Sequence, residues 1–183
     1  MLGNKLISIE PRGMDATKAR ETEIIEHHAK HAGLRDLYVQ SNGYYYGLVA
    51  RLLRFICAPD KSILHVGCQT GHLLSKLSAS RAVGLDQTRA MLDLARTKHP
   101  SHEYQLLEGQ NVPDIGTFDY ILISNSGECT DILNLFKNLE KCMSPKSLLV
   151  IYQYNRVWEL IVMAAEWFGL KYKTLGQNWL SGK

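Results

Sequence analysis

The chain lacks most of what would mark a partner by charge, metal or membrane. Lys and Arg number 21 against 18 Asp and Glu, a formal charge of only +3. That is too small to argue for nucleic acid or for an anionic lipid surface. Cysteine is sparse: Cys57, Cys68, Cys129 and Cys142 make no C-x-x-C pair and no Cys/His zinc spacing. They read as reduced thiols, so neither a disulfide framework nor a structural metal is expected. No apolar run approaches a membrane-spanning length, and no signal-peptide stretch follows Met1-Leu2-Gly3-Asn4-Lys5. A soluble, cytoplasmic protein is expected. There is no internal repeat and no low-complexity tract.

What is present fits one full-sized core. At 183 residues and 45% hydrophobic, one domain is the expectation. Residues 1–58 read as a helical N-terminal lid region and 59–183 as an α/β core. Within the lid, residues 1 to about 14 carry Gly3, Pro11 and Gly13 without periodicity and read as a loose arm. A helix follows with Asp15 as N-cap, the stripe Ile24, Ile25, His28, Ala29 and Ala32, and Gly33 as C-cap. His27, His28 and His31 share a face of it, but without an acidic or Cys partner they read as a polar face, not a metal site. Ser41-Asn42-Gly43 breaks the chain. Tyr44-Tyr45-Tyr46 then opens a second helix through Leu48, Leu52, Leu53 and Ile56, most of which should pack on a sheet. Three consecutive tyrosines cannot all face one way, so at least one is expected near a ligand crevice.

The organising stretch is Ser62-Ile63-Leu64-His65-Val66-Gly67-Cys68-Gln69-Thr70-Gly71-His72-Leu73. It reads as a buried strand, a glycine turn and a helix start. Such a turn holds a small ligand, because its backbone N–H groups converge on one crevice. A dinucleotide fingerprint requires glycine at the first, third and sixth positions of the turn. Here those are Gly67, Gln69 and His72, which disfavours a nucleotide-dependent oxidoreductase. A second apolar run, Arg81-Ala82-Val83-Gly84-Leu85-Asp86, ends in a carboxylate one helix length further on. Asp86 can accept bonds from both hydroxyls of a ribose, or it can cap the helix that begins after Gln87-Thr88.

Three more strands are predicted: Glu103 to Glu108, Phe118 to Ile123 and Ser147 to Tyr152. Helices over Gly71 to Ser78, Arg89 to Lys98 and Asp131 to Cys142 alternate with the strands, and a loop through Asn111 and Pro113 joins the third strand to the fourth. Near-continuous apolar strands alternating with helices imply a mostly parallel sheet covered on both faces. Right-handed crossovers in the order 3-2-1-4-5 bring Gly67, Asp86, Gly109-Gln110 and Ser124-Asn125 to one sheet edge.

Gly67-Cys68-Gln69-Thr70-Gly71 resembles the Gly-Cys-Gly-Thr-Gly turn of class I S-adenosylmethionine-dependent methyltransferases, with Gln69 as the departure. The resemblance covers residues 40–181 and takes in Phe118-Asp119-Tyr120 and Trp158-Glu159. Asn178-Trp179-Leu180-Ser181 is similar to a segment of bacterial methyltransferase domains sometimes fused to glycosyltransferases. The resemblance implies a Rossmann-like three-layer sandwich, S-adenosyl-L-methionine as cofactor, and a small-molecule methyl acceptor. The binding set it implies is Tyr45, His65, Gly67, Cys68, Gly71, Asp86, Gln87, Met91, Gln110, Asn111 and Ser124.

Three departures bear on that binding. His65 stands where an acidic residue engages the methionine amino group, Gln69 replaces a glycine, and Gln110 replaces an Asp that accepts a bond from the adenine amino group. The alternative is therefore a catalytically degenerate domain acting as a weak cofactor-binding or partner module. No catalytic residue is assigned. Ser124-Asn125-Ser126-Gly127-Glu128 is not the Asn/Asp-Pro-Pro-Tyr motif of nucleobase amino methylases, and Glu128 and His72 read as a cap and a helix-start polar residue before they read as bases. Beyond the fifth strand, a helix over 155–168 and a further helix start at Ser181 are expected, with no antiparallel C-terminal hairpin. The edge of strand five then calls for a cover, either a second copy of the chain or another domain of a parent chain.

Overall fold

The computed structural model describes residues 14–124, 129–152 and 167. Three helices lead: α1 (Met14–His31), α2 (Arg35–Ser41) and α3 (Gly43–Ile56). The remaining elements run β1 (Lys61–Val66), β2 (Ala79–Asp86), α4 (Arg89–Lys98), β3 (Glu103–Leu106), β4 (Phe118–Ile123), α5 (Ile132–Leu139) and β5 (Met143–Ile151). The sheet order is β3-β2-β1-β4-β5, as expected, and every pairing is parallel. Central β1 aligns His65 with Gly84 on one side and Leu122 on the other.

Period-two alternation sorts the strands' side chains onto two faces. Leu64, Val66, Val83, Leu85, Ile121 and Ile123 pack against Leu135 and Leu139 of α5. Ile63, Ala82, Tyr120 and Leu122 pack against Leu53 of α3 and Leu92 and Ala95 of α4. A smaller cluster of Val39, Tyr46, Ala50 and Leu73 seats α2 and α3 over the glycine turn. Asp131 caps α5, its carboxylate accepting from the Asn134 backbone N–H at 3.0 Å.

Several local expectations are corrected. The stretch Gly71 to Ser78 is not a helix but a single 3-10 turn, Leu74–Lys76. Leu73, Leu74 and Leu77 are all buried there, and three inward leucines in so short a connection satisfy the core without a second turn. Gly33 does not end the first helical region. It lies in the 3-10 turn Ala32–Leu34, and the unforeseen α2 follows at once. Asp15 lies within α1 and is not its N-cap. On α3, Leu53 is buried but Leu48 and Leu52 are exposed, because Tyr46, Ala50 and Leu53 form the inward face and the other pair lies off it. β2 starts two residues earlier and β5 four residues earlier than the apolar runs suggest, and β3 ends at Leu106.

No helix among the described residues is long and apolar enough to cross a membrane. At the β5 edge Leu148, Leu149 and Ile151 are exposed. The N-terminal arm, Asn125 to Glu128, the 155–168 helix, the segment around Ser181 and the expected lack of a hairpin lie outside the described residues.

Candidate functional site

Two crevices meet at the C-terminal ends of β1, β2 and β4, with Gly67, Gln69 and Ser124 in the wall of both. The first is the more apolar of the two. Ile24 of α1, Leu107, Ile123 and Leu135 make its apolar walls, and Asp86, Gln87, Gln110 and His28 its polar ones. The second is more polar, lined by Arg35, Tyr45, Tyr46, His65, His72 and Tyr152 among others.

The turn between β1 and the 3-10 segment is shaped by close backbone packing. Gly67 has φ +76°, and a Cβ there would lie 2.6 Å from the Ser124 carbonyl oxygen. Gly67 and Cys68 both donate their N–H to the Leu85 carbonyl. Gln69 adopts φ +51°, a left-handed conformation uncommon for a residue with a side chain. Its amide oxygen accepts from Arg35 Nε, and that guanidinium lies over the Tyr38 and Tyr46 rings.

Asp86 is buried, and both its oxygens are engaged. Oδ2 accepts from the Gln69 N–H at 2.9 Å and Oδ1 from the Thr88 N–H at 2.8 Å. It therefore pins the glycine turn to the start of α4. Burial raises its pKa, and the two backbone donors partly oppose the rise. A carboxylate has about four acceptor positions; the two N–H groups and the Thr88 side chain use three, which leaves about one for a hydroxyl in the crevice.

His65 is 1% exposed. Its Nε2 lies 3.0 Å from Ser124 Oγ. The Ser124 hydroxyl has a single proton, donated to the Gly67 carbonyl at 2.6 Å, so Oγ accepts from His65 Nε2–H. Nδ1 is then the bare nitrogen, buried and without a partner. Burial lowers the imidazole pKa to about 4, so the ring is neutral at pH 7. The folded value lies below the unfolded one. The associated stability is therefore complete above about pH 6.5 and is lost as pH falls towards 4. Between pH 7 and pH 5 wild type should lose about 2 kcal/mol more than His65→Gln. Urea unfolding at the two pH values checks this, and equal losses would refute it.

Gln110 is fixed by a relay. Its Nε2 donates to Thr130 Oγ1 at 3.1 Å, and Thr130 donates to Glu21 of α1 at 2.6 Å. The amide nitrogen is thereby held, and the carbonyl is the end that can accept from a ligand. Gln87 Nε2 donates to the Gly109 carbonyl at 2.7 Å, bracing the loop after β3.

The structure thus brings Tyr45, His65, Gly67, Cys68, Asp86, Gln87, Gln110 and Ser124 to the crevice walls. The Cys68 thiol is nonetheless turned into the core beneath Gly84, whose missing side chain makes room for it. Gly71, Met91 and Asn111 line neither crevice. A Cβ on Gly71 would lie 2.4 Å from the Tyr104 hydroxyl, so its glycine serves packing. Met91 is buried at 1% exposure, on the face of α4 that meets the core. Asn111 is exposed and bridged to Glu108. His28, read as part of a polar helix face, is buried in the crevice wall, one turn from Ile24. Arg35, on the helix missed in the sequence, enters the second crevice. Among the described residues no cluster suited to a metal is found.

Residues 64–149 match a family profile described as a methyltransferase domain. The fold is shared with many solved structures of S-adenosylmethionine-dependent methyltransferases. Over that stretch the chain resembles methyltransferase domains in sequence, and its Rossmann-like fold is the one these enzymes share. One similar structure is a Thermotoga maritima S-adenosylmethionine-dependent methyltransferase described as a possible histamine N-methyltransferase. It has a TM-score of 0.67 at 14% identity, with 86% of this chain and 74% of that one covered. Another is a TehB-like S-adenosylmethionine-dependent methyltransferase from Corynebacterium glutamicum, with a TM-score of 0.56 at 22% identity, covering 77% and 82%. A third is the plantazolicin methyltransferase BpumL, solved with a monoazolic desmethylPZN analog and SAH, with a TM-score of 0.59 at 19% identity, covering 83% and 65%. Against two further solved chains this one spans only 51% and 58% of their length. No curated protein matches it in sequence.

S-adenosylmethionine is the cofactor of this methyltransferase family, and the donor set fits it. The first crevice offers apolar walls to a flat base, the Asp86 carboxylate to a ribose hydroxyl and the Gln110 carbonyl to an amino group. The polar crevice has His65 in its wall and offers the Arg35 guanidinium to a carboxylate.

Proposed function

We propose that the protein transfers a methyl group from S-adenosylmethionine to a small-molecule acceptor in the cytoplasm. One observation carries the reading: an apolar-walled crevice holding Asp86 and Gln110 and a polar crevice share the wall formed by Gly67, Gln69 and Ser124. When bound, S-adenosylmethionine supplies an electrophilic methyl group on a sulfonium. The chain's own work is placement. Asp86 and Gln110 orient the adenosine portion, while the Arg35 cation takes the carboxylate of the amino-acid portion. Tyr45, Tyr46 and His72 bound the side from which an acceptor would approach. Much of the rate enhancement then comes from approximation and orientation. No side chain is assigned as general base.

The test is thermal unfolding with added ligand. S-adenosylhomocysteine at a hundred times its Kd should add about 2.7 kcal/mol, which for a domain of this size raises Tm by about 5–10 °C. NAD at the same concentration should leave Tm unchanged. A shift with NAD alone, or none with millimolar S-adenosylhomocysteine, would refute the assignment.

A further inference from the structure

A third cavity lies beside the polar crevice, between α3 and α4, where the connection after Gly71 is one 3-10 turn in place of a helix. Its volume is about 730 Å³, within the range of small-molecule sites. Gly43, Gly47 and Ala50 share one face of α3 and line this groove. A Cβ on Gly43 or Gly47 would meet nothing within 4 Å. Glycine within a helix is less favourable than alanine, and no packing constraint excludes alanine at Gly47. What the missing side chain leaves there is width.

The groove's charge is one-sided. Arg54, Lys76 and Lys98 line it, with His72 and His99, against the single carboxylate of Asp36. That carboxylate is already engaged by Lys98 Nζ and by the Thr70 hydroxyl. Arg54 and Lys76 make no ion pair among the described residues. Burial first, and then neighbouring cations including Lys76, hold both histidines below their usual pKa, which reports a positive local field. Val39, Tyr46 and His72 belong to the walls of both this groove and the polar crevice. The groove therefore opens where a methyl group would be delivered.

We propose that this groove seats the methyl acceptor by an anionic group, a phosphate or a carboxylate, held by Arg54 and Lys76. The remainder of the acceptor would lie over Gly47 and reach Tyr46 and His72. The assignment rests on the methyltransferase reading of the neighbouring crevices, and its test separates the two. Pyrophosphate and citrate are titrated separately onto the full chain, with and without saturating S-adenosylhomocysteine, while the backbone amide signals of Gly43 and Gly47 are followed by NMR.

Both signals should move saturably with at least one anion, and the stronger anion identifies phosphate or carboxylate as the preferred group. Arg54→Gln combined with Lys76→Gln, both exposed positions, should raise the apparent Kd at least tenfold. Gly47→Leu fills the groove without changing charge; it should abolish the Gly43 response while leaving S-adenosylhomocysteine affinity within twofold. An unchanged Kd in the charge variant, or a Gly43 response that survives in folded Gly47→Leu, overturns the proposal. Failure of both anions while S-adenosylhomocysteine binds overturns it alone. Failure of S-adenosylhomocysteine while the anions bind overturns the methyltransferase reading, and with it the acceptor's role.

Discussion

Gly67→Ala should cost about 4 kcal/mol of stability, a large part of what a domain of this size possesses. Two terms add. An L-residue held at φ +76° is in the left-handed region, which costs about 1–2 kcal/mol. The added methyl would also sit 2.6 Å from the Ser124 carbonyl oxygen, a backbone atom that no side-chain rotation can move. Relieving that contact means parting the ends of β1 and β4, an overpacking cost of about 1–3 kcal/mol. Gly109→Ala isolates the first term. Its φ is +60°, and its nearest neighbour would be a Glu21 carboxylate oxygen at 3.7 Å, so about 1 kcal/mol is expected. Urea unfolding of the pair decides it. Equal losses would show that the backbone contact at Gly67 is not a constraint.

Asp86→Ala should lower stability by a similar amount and weaken the ligand as well. Removing the carboxylate leaves the Gln69 and Thr88 N–H groups without their acceptor. A buried donor left unsatisfied costs about 1–3 kcal/mol, so about 4 kcal/mol in total is expected. S-adenosylhomocysteine affinity should fall about a hundredfold, the equivalent of about 2.7 kcal/mol, because the lost bond to a ribose hydroxyl is charge-assisted. The reading of Asp86 as ribose acceptor or helix cap does not force a choice, since its geometry serves the second and leaves room for the first. Calorimetry below the variant's Tm, corrected for folded fraction, separates them. Full affinity in the folded fraction would leave Asp86 as a structural clamp only.

The sheet was legible because parallel strands buried on both faces read as continuous apolar runs. Ile63 to Val66, Val83 to Leu85 and Tyr120 to Ile123 could hardly be placed otherwise, and their ends carry Gly67, Asp86 and Ser124. Periodicity failed where it is degenerate. Leu73, Leu74 and Leu77 satisfy a helical stripe, but they equally satisfy a compact turn. His28 and Ile24 share a helix face, and nothing local tells a face turned to solvent from one closing a crevice. Gly71 looked like a ligand-facing glycine because it stands at the right spacing. The reason for it, the Tyr104 ring, comes from a strand on the far side of α4, and only the fold brings the two together. Met91 and Asn111 illustrate the same limit, since spacing gives a neighbourhood but not a direction.

The strand order also determines when the site comes into existence. Ile63 pairs with Ala82, close by in the chain, and with Tyr120, beyond α4 and β3. Closing the longer loop carries the greater entropy loss, and non-local pairings are slow to form. Docking of β4 onto β1 is thus the later event. Gly67 ends one of these strands and Ser124 the other, so the shared wall of the crevices does not exist until that docking is complete. Ligand bound there cannot assist the earlier steps of folding. It acts by retarding escape from the native state, and protection against slow proteolysis will follow occupancy of the crevice more closely than it follows the speed of refolding.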